Sequence, residues 1–133
     1  MTSSEVIPEL LKTCPTFAPE WKRLQEDGDH ELLYVVLGAF ARHLLTLTRD
    51  ENYEELSAAA AFIEQMHVKG DGQVREAATI GVLEGIQNGW SNSGVAPELF
   101  LPHLGKESRR WWDSLDRFWK SEIPHVGADI KKG

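Results

Sequence analysis

The chain is short of the residues that reactive chemistry and membranes draw on. It has one cysteine in 133 residues, so no internal disulfide can form and a reducing compartment is the expected setting. No run of eighteen apolar residues occurs, which argues against a membrane-spanning helix. The opening stretch MTSSEVIPELLKTC has no basic segment followed by an apolar one. No secretory signal is therefore expected, and the cytoplasm is the predicted location. Basic charge is scarce as well: 14 Lys and Arg stand against 21 Asp and Glu, for a net charge of −7. That balance argues against direct nucleic-acid binding, which depends on neutralising phosphates.

Catalytic and metal-binding patterns are also missing. The histidines are His30, His43, His67, His103 and His125, and none belongs to an HExxH pair. His43 and His67 fall near apolar helix faces, where a hydrogen-bonded structural imidazole is the expected role. Asp27, Asp29 and His30 lack the spacing of a calcium loop. There is no G-x-S-x-G, and Cys14 sits beside Pro15 rather than at a helix N-terminus. Gly70 and Gly72 flank an acid with no Lys-Ser/Thr pair after them, so they form no phosphate loop. Neighbouring carboxylates such as Glu54 and Glu55 diverge on a helix. No metal, cofactor or enzymatic activity is expected.

What is present is helical patterning. Hydrophobic content of 41% and charged content of 26% suit a globular protein, and the length suits one domain, placed at residues 1–126. Residues 127–133 hold no apolar pattern and are expected to form a frayed tail. The first helix is predicted over Ser4 to Lys12 with Ser4 as its cap, and a second short one over Pro19 to Glu26. The third runs from an N-cap at Asp29 to about Thr48, with Leu33, Val36, Leu37, Phe40, Leu44 and Leu47 in one arc. The fourth, Tyr53 to Val68, groups Leu56, Ala59, Ala60, Phe62, Ile63 and Met66.

The stretch Asp71 to Gln87, DGQVREAATIGVLEGIQ, is the most informative. Asp71 is a good cap, Asn88-Gly89 suits an αL ending, and Val74, Ala77, Ala78, Gly81, Val82 and Gly85 share an arc of mostly small residues. Small side chains let a neighbouring helix approach, and the two glycines each cost about 1 kcal/mol of helix propensity unless packing replaces it. This reads as the second helix of a HEAT-like pair, or as an ordinary buried helix. The short link at Lys69–Gly72 makes it antiparallel to the fourth. Trp90 is placed in a loop. The predicted fold is all-α: a single-domain antiparallel helical array, HEAT/armadillo-like, of about six helices.

The final helix, Lys106 to Ile123, carries Trp111, Trp112, Leu115, Phe118 and Trp119 within about 120° of arc at 100° per residue. That is an amphipathic helix docking on a core. Trp112 lies at the edge of the arc, where a partly exposed tryptophan is suited to anchor an interface.

Acidic residues collect in two places. Glu26, Asp27, Asp29 and Glu31 precede the third helix, and Asp50, Glu51, Glu54 and Glu55 follow it, roughly 25–30 Å away at 1.5 Å per residue. The excess is N-terminal: residues 1–70 carry 12 acids and 6 bases, residues 71–133 carry 9 and 8. Each group could serve a basic partner or simply keep the surface solvated and favour helix N-termini.

Four segments, CPTFAPEW at 14–21, LGAFARHL at 37–44, VREAATIGVLEGIQN at 74–88 and LPHLGKESRRWWDSLDRFW at 101–119, resemble a family of small all-helical bacterial proteins without assigned activity. These proteins look like the immunity partners found beside bacterial polymorphic toxins. The resemblance implies a cytoplasmic immunity protein that neutralises one cognate toxin domain by stoichiometric binding, with no catalysis. Charge points to a basic nuclease as the class of toxin, met by the two acidic groups and Trp112. A helical scaffold unrelated to toxins is the alternative.

Overall fold

The computed structural model describes residues 1–130. Among them are seven α-helices: α1 (Ser3–Thr13), α2 (Ala18–Glu26), α3 (Leu33–Arg49), α4 (Tyr53–Lys69), α5 (Gly72–Glu76), α6 (Glu84–Asn92) and α7 (Lys106–Trp119). A π-helical segment, Ala77–Leu83, joins α5 to α6 without a break, so the chain is organised as six helical rods. Short 3₁₀ turns fill the connections, and no strand occurs among the described residues. No helix among them is long and apolar enough to cross a membrane.

Helices α3 and α4 follow their hydrophobic periodicity. Every residue of the predicted inward arcs is buried except Leu33, which is half-buried. A three-residue turn at Asp50–Asn52 returns the chain, and the Asn52 side chain accepts from the Glu55 backbone N–H at 3.3 Å to cap α4. Asp71 caps α5 in the same way, accepting from Val74 N–H at 2.9 Å. The predicted small-residue arc packs against α3 as its composition requires. A Cβ on Gly81 would lie 3.1 Å from Leu37 Cδ1, and one on Gly85 would lie 3.2 Å from Ala41 Cβ. These two positions let the helical backbones come close, which offsets the propensity cost of glycine.

Several expected boundaries move. The first helix begins one residue earlier than predicted, at Ser3, with Thr2 rather than Ser4 at its cap position. Glu5 reaches back to accept from the Thr2 backbone N–H at 3.1 Å. Asp29 does not cap α3: it opens a 3₁₀ turn, Asp29–Glu31, and α3 starts at Leu33 after an extended Leu32. Asn88-Gly89 does not end the fifth rod. Helix α6 runs on to Asn92 because Trp90, fully buried, donates its indole N–H to the Ala41 carbonyl at 3.0 Å. The left-handed residue that follows the helix is Gly94, at φ +75.

One core, from Val6 to Leu115, gathers residues of all the rods. Of the stretch expected as a tail, residues 131–133 lie outside the described residues. Within 127–130, Gly127 N–H donates to Ser114 Oγ at 2.6 Å, and Asp129 accepts from the same hydroxyl at 2.7 Å.

Candidate functional site

The two acidic groups are held at the ends of α3, as the spacing required. The 17 residues of α3 set them about 25 Å apart at 1.5 Å per residue, so they are separate surfaces. In the first, Glu26, Asp27 and Glu31 are exposed and Asp29 is half-buried. Glycine at 28 supplies the left-handed turn, φ +78, that lets α2 pass into the 3₁₀ turn. Asp27 lies 3.9 Å from Arg23, whose stronger partner is Glu20.

This first group is not purely polar. Leu32 is 55% exposed, and Tyr34 and Val35 beside it are also exposed. Leu32 and Val35 are three residues apart and present neighbouring surface on the start of α3. Between Asp29 and Glu31, His30 packs edge-on against Trp21 at 6.1 Å between ring centres. Its Nδ1 is buried without a hydrogen-bond partner. An unpaired buried nitrogen is a local energetic cost, and it sits in the middle of this surface.

The second group divides. Asp50, Glu51 and Glu54 are exposed, and Glu51 adopts φ 57 at the turn. Tyr53, also exposed, stacks on His103 with the rings 6.3 Å apart. Glu55 turns inward instead. It accepts the Thr16 hydroxyl at 2.6 Å and the Thr16 backbone N–H at 3.1 Å, and Thr16 Oγ1 meets His43 Nε2 at 2.7 Å. Glu55 is therefore engaged in joining α4 to the turn before α2. Burial lowers the His43 pKa against the opposing pull of Glu55 and Glu20.

Trp112 is not an anchor. It is 1% exposed, because the inward face of α7 is formed by Ser108, Trp112, Ser114 and Leu115. The predicted arc holds in part: Leu115 is buried with Trp112, Trp111 and Phe118 are half-buried, and Trp119, the last residue of the helix, is 49% exposed. Polar contacts fix that face as well. Gln87 Nε2 donates to the Trp112 carbonyl at 3.3 Å, and Ser108 is drawn into a buried chain of hydrogen bonds with α4.

That chain joins α4, the π segment and α7. Glu64 on α4 accepts from the backbone N–H groups of Glu107 and Ser108, at 3.1 and 2.8 Å, and from the Ser108 hydroxyl at 2.8 Å. A carboxylate on one helix thus serves the exposed N–H groups at the start of another. Gly105 makes room for it, since a Cβ there would stand 2.5 Å from the Glu64 carboxyl carbon. Ser108 Oγ is also 2.9 Å from His67 Nδ1, and His67 Nε2 is 3.0 Å from Thr79 Oγ1. Having spent its only proton on Glu64, the serine accepts from Nδ1–H, and Nε2 accepts the Thr79 proton.

Burial pushes the His67 pKa down to about 4, against the pull of Glu64 and Glu107. The ring is therefore neutral at pH 7. For Glu64, burial acts upward, but the hydrogen bonds from Ser108 and Glu107 outweigh it and hold the carboxyl below its ordinary range. Both imidazole nitrogens are committed to protein hydroxyls, which is a structural histidine's arrangement. Cys14 is fully buried, and burial pushes its thiol up to about 12, so it carries no thiolate. No group of three His, Cys, Asp or Glu suited to a metal ion occurs among the described residues.

The model of one protein family, described as Domain of unknown function (DUF7674), matches residues 7–120. That span runs from within α1 to the end of α7 and contains both acidic groups and the buried chain. No curated protein matches the sequence, and no solved structure does.

Proposed function

The chain belongs to the family of the Domain of unknown function (DUF7674), and we propose that it acts by binding rather than by chemistry. Its partner is a cognate bacterial toxin domain of basic charge, which it neutralises one to one as an immunity protein. The observation that carries this reading is the first acidic surface: exposed Glu26, Asp27 and Glu31 border exposed Leu32, Tyr34 and Val35. Apolar side chains supply the contact area that exposed charges alone lack, while the carboxylates steer a basic partner and fix its orientation. Against a nuclease, carboxylates would stand where substrate phosphates bind. Asp50, Glu51 and Glu54, beside exposed Tyr53, form a second and smaller candidate surface.

The rigid support for such a surface is a HEAT-like pairing of α4 with the rod from α5 to α6, packed on α3 through Gly81 and Gly85. Enzymatic activity has no place in this proposal, and the protein works in the cytoplasm beside the toxin.

The test is recovery of partners with the tagged protein from its native host, followed by charge reversal. A single toxin-domain protein, bound one to one, is the expected result. Changing Glu26, Asp27 and Glu31 together to Lys should weaken that binding at least about a hundredfold, since each lost close charge pair is worth on the order of 1 kcal/mol or more. Thermal stability should hardly change. Recovery of only the protein itself, or of several unrelated proteins, would replace immunity by a scaffold role. Full binding by both this variant and its Asp50, Glu51, Glu54 counterpart would remove the electrostatic mechanism.

A further inference from the structure

A cleft of about 810 Å³ lies where the π segment, the first half of α7 and the stretch after α7 meet. Its size is that of a small-ligand site, and it shares no residue with either acidic group. The floor is the His67–Thr79 hydrogen bond, which is neutral and fully paired. The walls are largely apolar: Ile80 on one side, Trp111 on the other, with Val126 and Ile130 closing the end.

Two local devices shape these walls. The π segment sends Thr79 to the floor and its neighbour Ile80, 36% exposed, to the wall. Insertions of this kind are rare in helices and concentrate at functional sites. Gly127, at φ +90, packs against the Trp111 ring, where a Cβ would come within 2.8 Å of Cζ3. The hydrogen bonds of Gly127 and Asp129 to Ser114 pin this stretch, so Trp111 is held as a wall rather than left to swing.

The charges are unevenly satisfied. Arg110 is paired with Glu107 at 2.8 Å, which leaves that couple neutral. Arg75 is exposed and forms no ion pair among the described residues. Glu76, the remaining charge of the cleft, is also exposed and forms no ion pair among the described residues, and among them Arg75 is the one cation of the cleft free for an anionic group. A guanidinium without a partner beside an aromatic and aliphatic wall is chemistry for a ligand with one anionic group on an apolar body.

We propose that this cleft binds a small amphipathic anion, an aromatic carboxylic or sulfonic acid, with its ring between Ile80 and Trp111 and its anionic group on Arg75. The site stands apart from the toxin-binding surface and does not depend on that reading.

The test is fluorescence titration of the full chain with 8-anilinonaphthalene-1-sulfonate, with its uncharged counterpart N-phenyl-1-naphthylamine alongside. The expected result is saturable one-to-one binding of the sulfonate, at least about tenfold tighter than the uncharged amine. Arg75→Glu and Ile80→Asp should each weaken it by about tenfold or more, and Leu32→Ser, on the other surface, should leave it unchanged. Both cleft positions are exposed, and unaltered melting curves would confirm that the variants fold; Arg75→Gln gives the milder charge test. Absence of saturable binding would overturn the site. Equal affinity for the uncharged amine, or indifference to both Arg75 variants, would overturn its assignment to anions.

Discussion

Two clusters in this protein join the same three groups in the same order: a carboxylate, a hydroxyl and an imidazole. In Glu64–Ser108–His67 the hydroxyl and the ring are buried between α4, α7 and the π segment and the carboxylate is half-buried, whereas Glu55–Thr16–His43 lies near the surface between α4, α3 and the turn before α2. In each, the hydroxyl gives its proton to the carboxylate and receives one from the ring. The difference is what surrounds them. The inner imidazole is 3% exposed and its pKa falls to about 4; the outer one is half-exposed and is lowered by the same cause. The inner carboxylate also caps a helix, whereas the outer one ties down a single turn. Identical hydrogen-bond chemistry is thus a keystone in one place and a fastening in the other, and the solvent decides which.

Removing the carboxylates should separate the two most sharply. Glu64→Ala strips acceptors from Ser108 Oγ and from two N–H groups at the start of α7, and leaves the serine without a target for its proton. A loss of about 3 kcal/mol is expected, from unpaired polar groups together with a missing cap. Glu55→Ala, whose partners can turn to water, should cost about 1 kcal/mol or less. Urea denaturation of both variants measures the contrast, and equal losses would break it. Gly105→Ala belongs with the first, at about 1–2 kcal/mol, since its Cβ displaces the Glu64 carboxylate from its three donors.

The same contrast should appear in the dependence on pH. His67 is lowered in the fold from 6.5 to about 4, so below pH 6.5 the unfolded chain binds a proton that the folded chain refuses. Its contribution to stability is complete above pH 6.5 and is lost as pH falls toward 4, by at most about 3 kcal/mol at 1.36 kcal/mol per pKa unit. Glu64, also lowered in the fold, contributes above its unfolded value of 4.5 and loses its share only below that. Between 4.5 and 6.5 Glu64 is silent, while Glu84, whose carboxyl is raised by burial, works against the histidines, so the histidine variants are needed to isolate the rings. His67→Gln should flatten the stability profile there, and His43→Gln should flatten it far less. An unchanged slope in the His67 variant would mean that the ring is not held neutral.

How far these features can be read from sequence follows from their physics. Helices α3 and α4 are legible because an apolar residue every three or four positions has one outcome in a buried rod, and Leu37, Phe40, Leu44, Leu56, Ile63 and Met66 all face inward. The π segment is not, because Ala77 to Leu83 has the composition of an ordinary small-residue helix. Its extra residue per turn is stabilised by tertiary contacts, such as Thr79 on His67. The inward face of α7 is legible in part: the arc puts Trp112 and Leu115 on one side and both are buried, but nothing local marks Ser108 and Ser114 as buried, since their partners lie on α4 and in the closing stretch. The acidic groups are visible as clusters, but Glu55's inward turn is not, since its target, Thr16, is 39 residues away. A hydroxyl between two apolar helices carries no local signature; only the three-dimensional neighbours give it one.

The smallest expected effect tests the cause of the outer imidazole's shift. Burial lowers the His43 pKa, while the negative charge of Glu55 opposes that change. Glu55→Gln keeps the side chain's size and an acceptor for Thr16 but removes the charge. The His43 pKa should therefore fall further. Stability at pH 7 should change by less than about 1 kcal/mol, because the hydrogen bonds can be kept by the amide. The His43 ring protons, followed by NMR across pH 4 to 8, give the answer directly. A rise would mean that the carboxylate restrains the ring through geometry rather than charge. The two clusters would then differ in kind and not merely in burial.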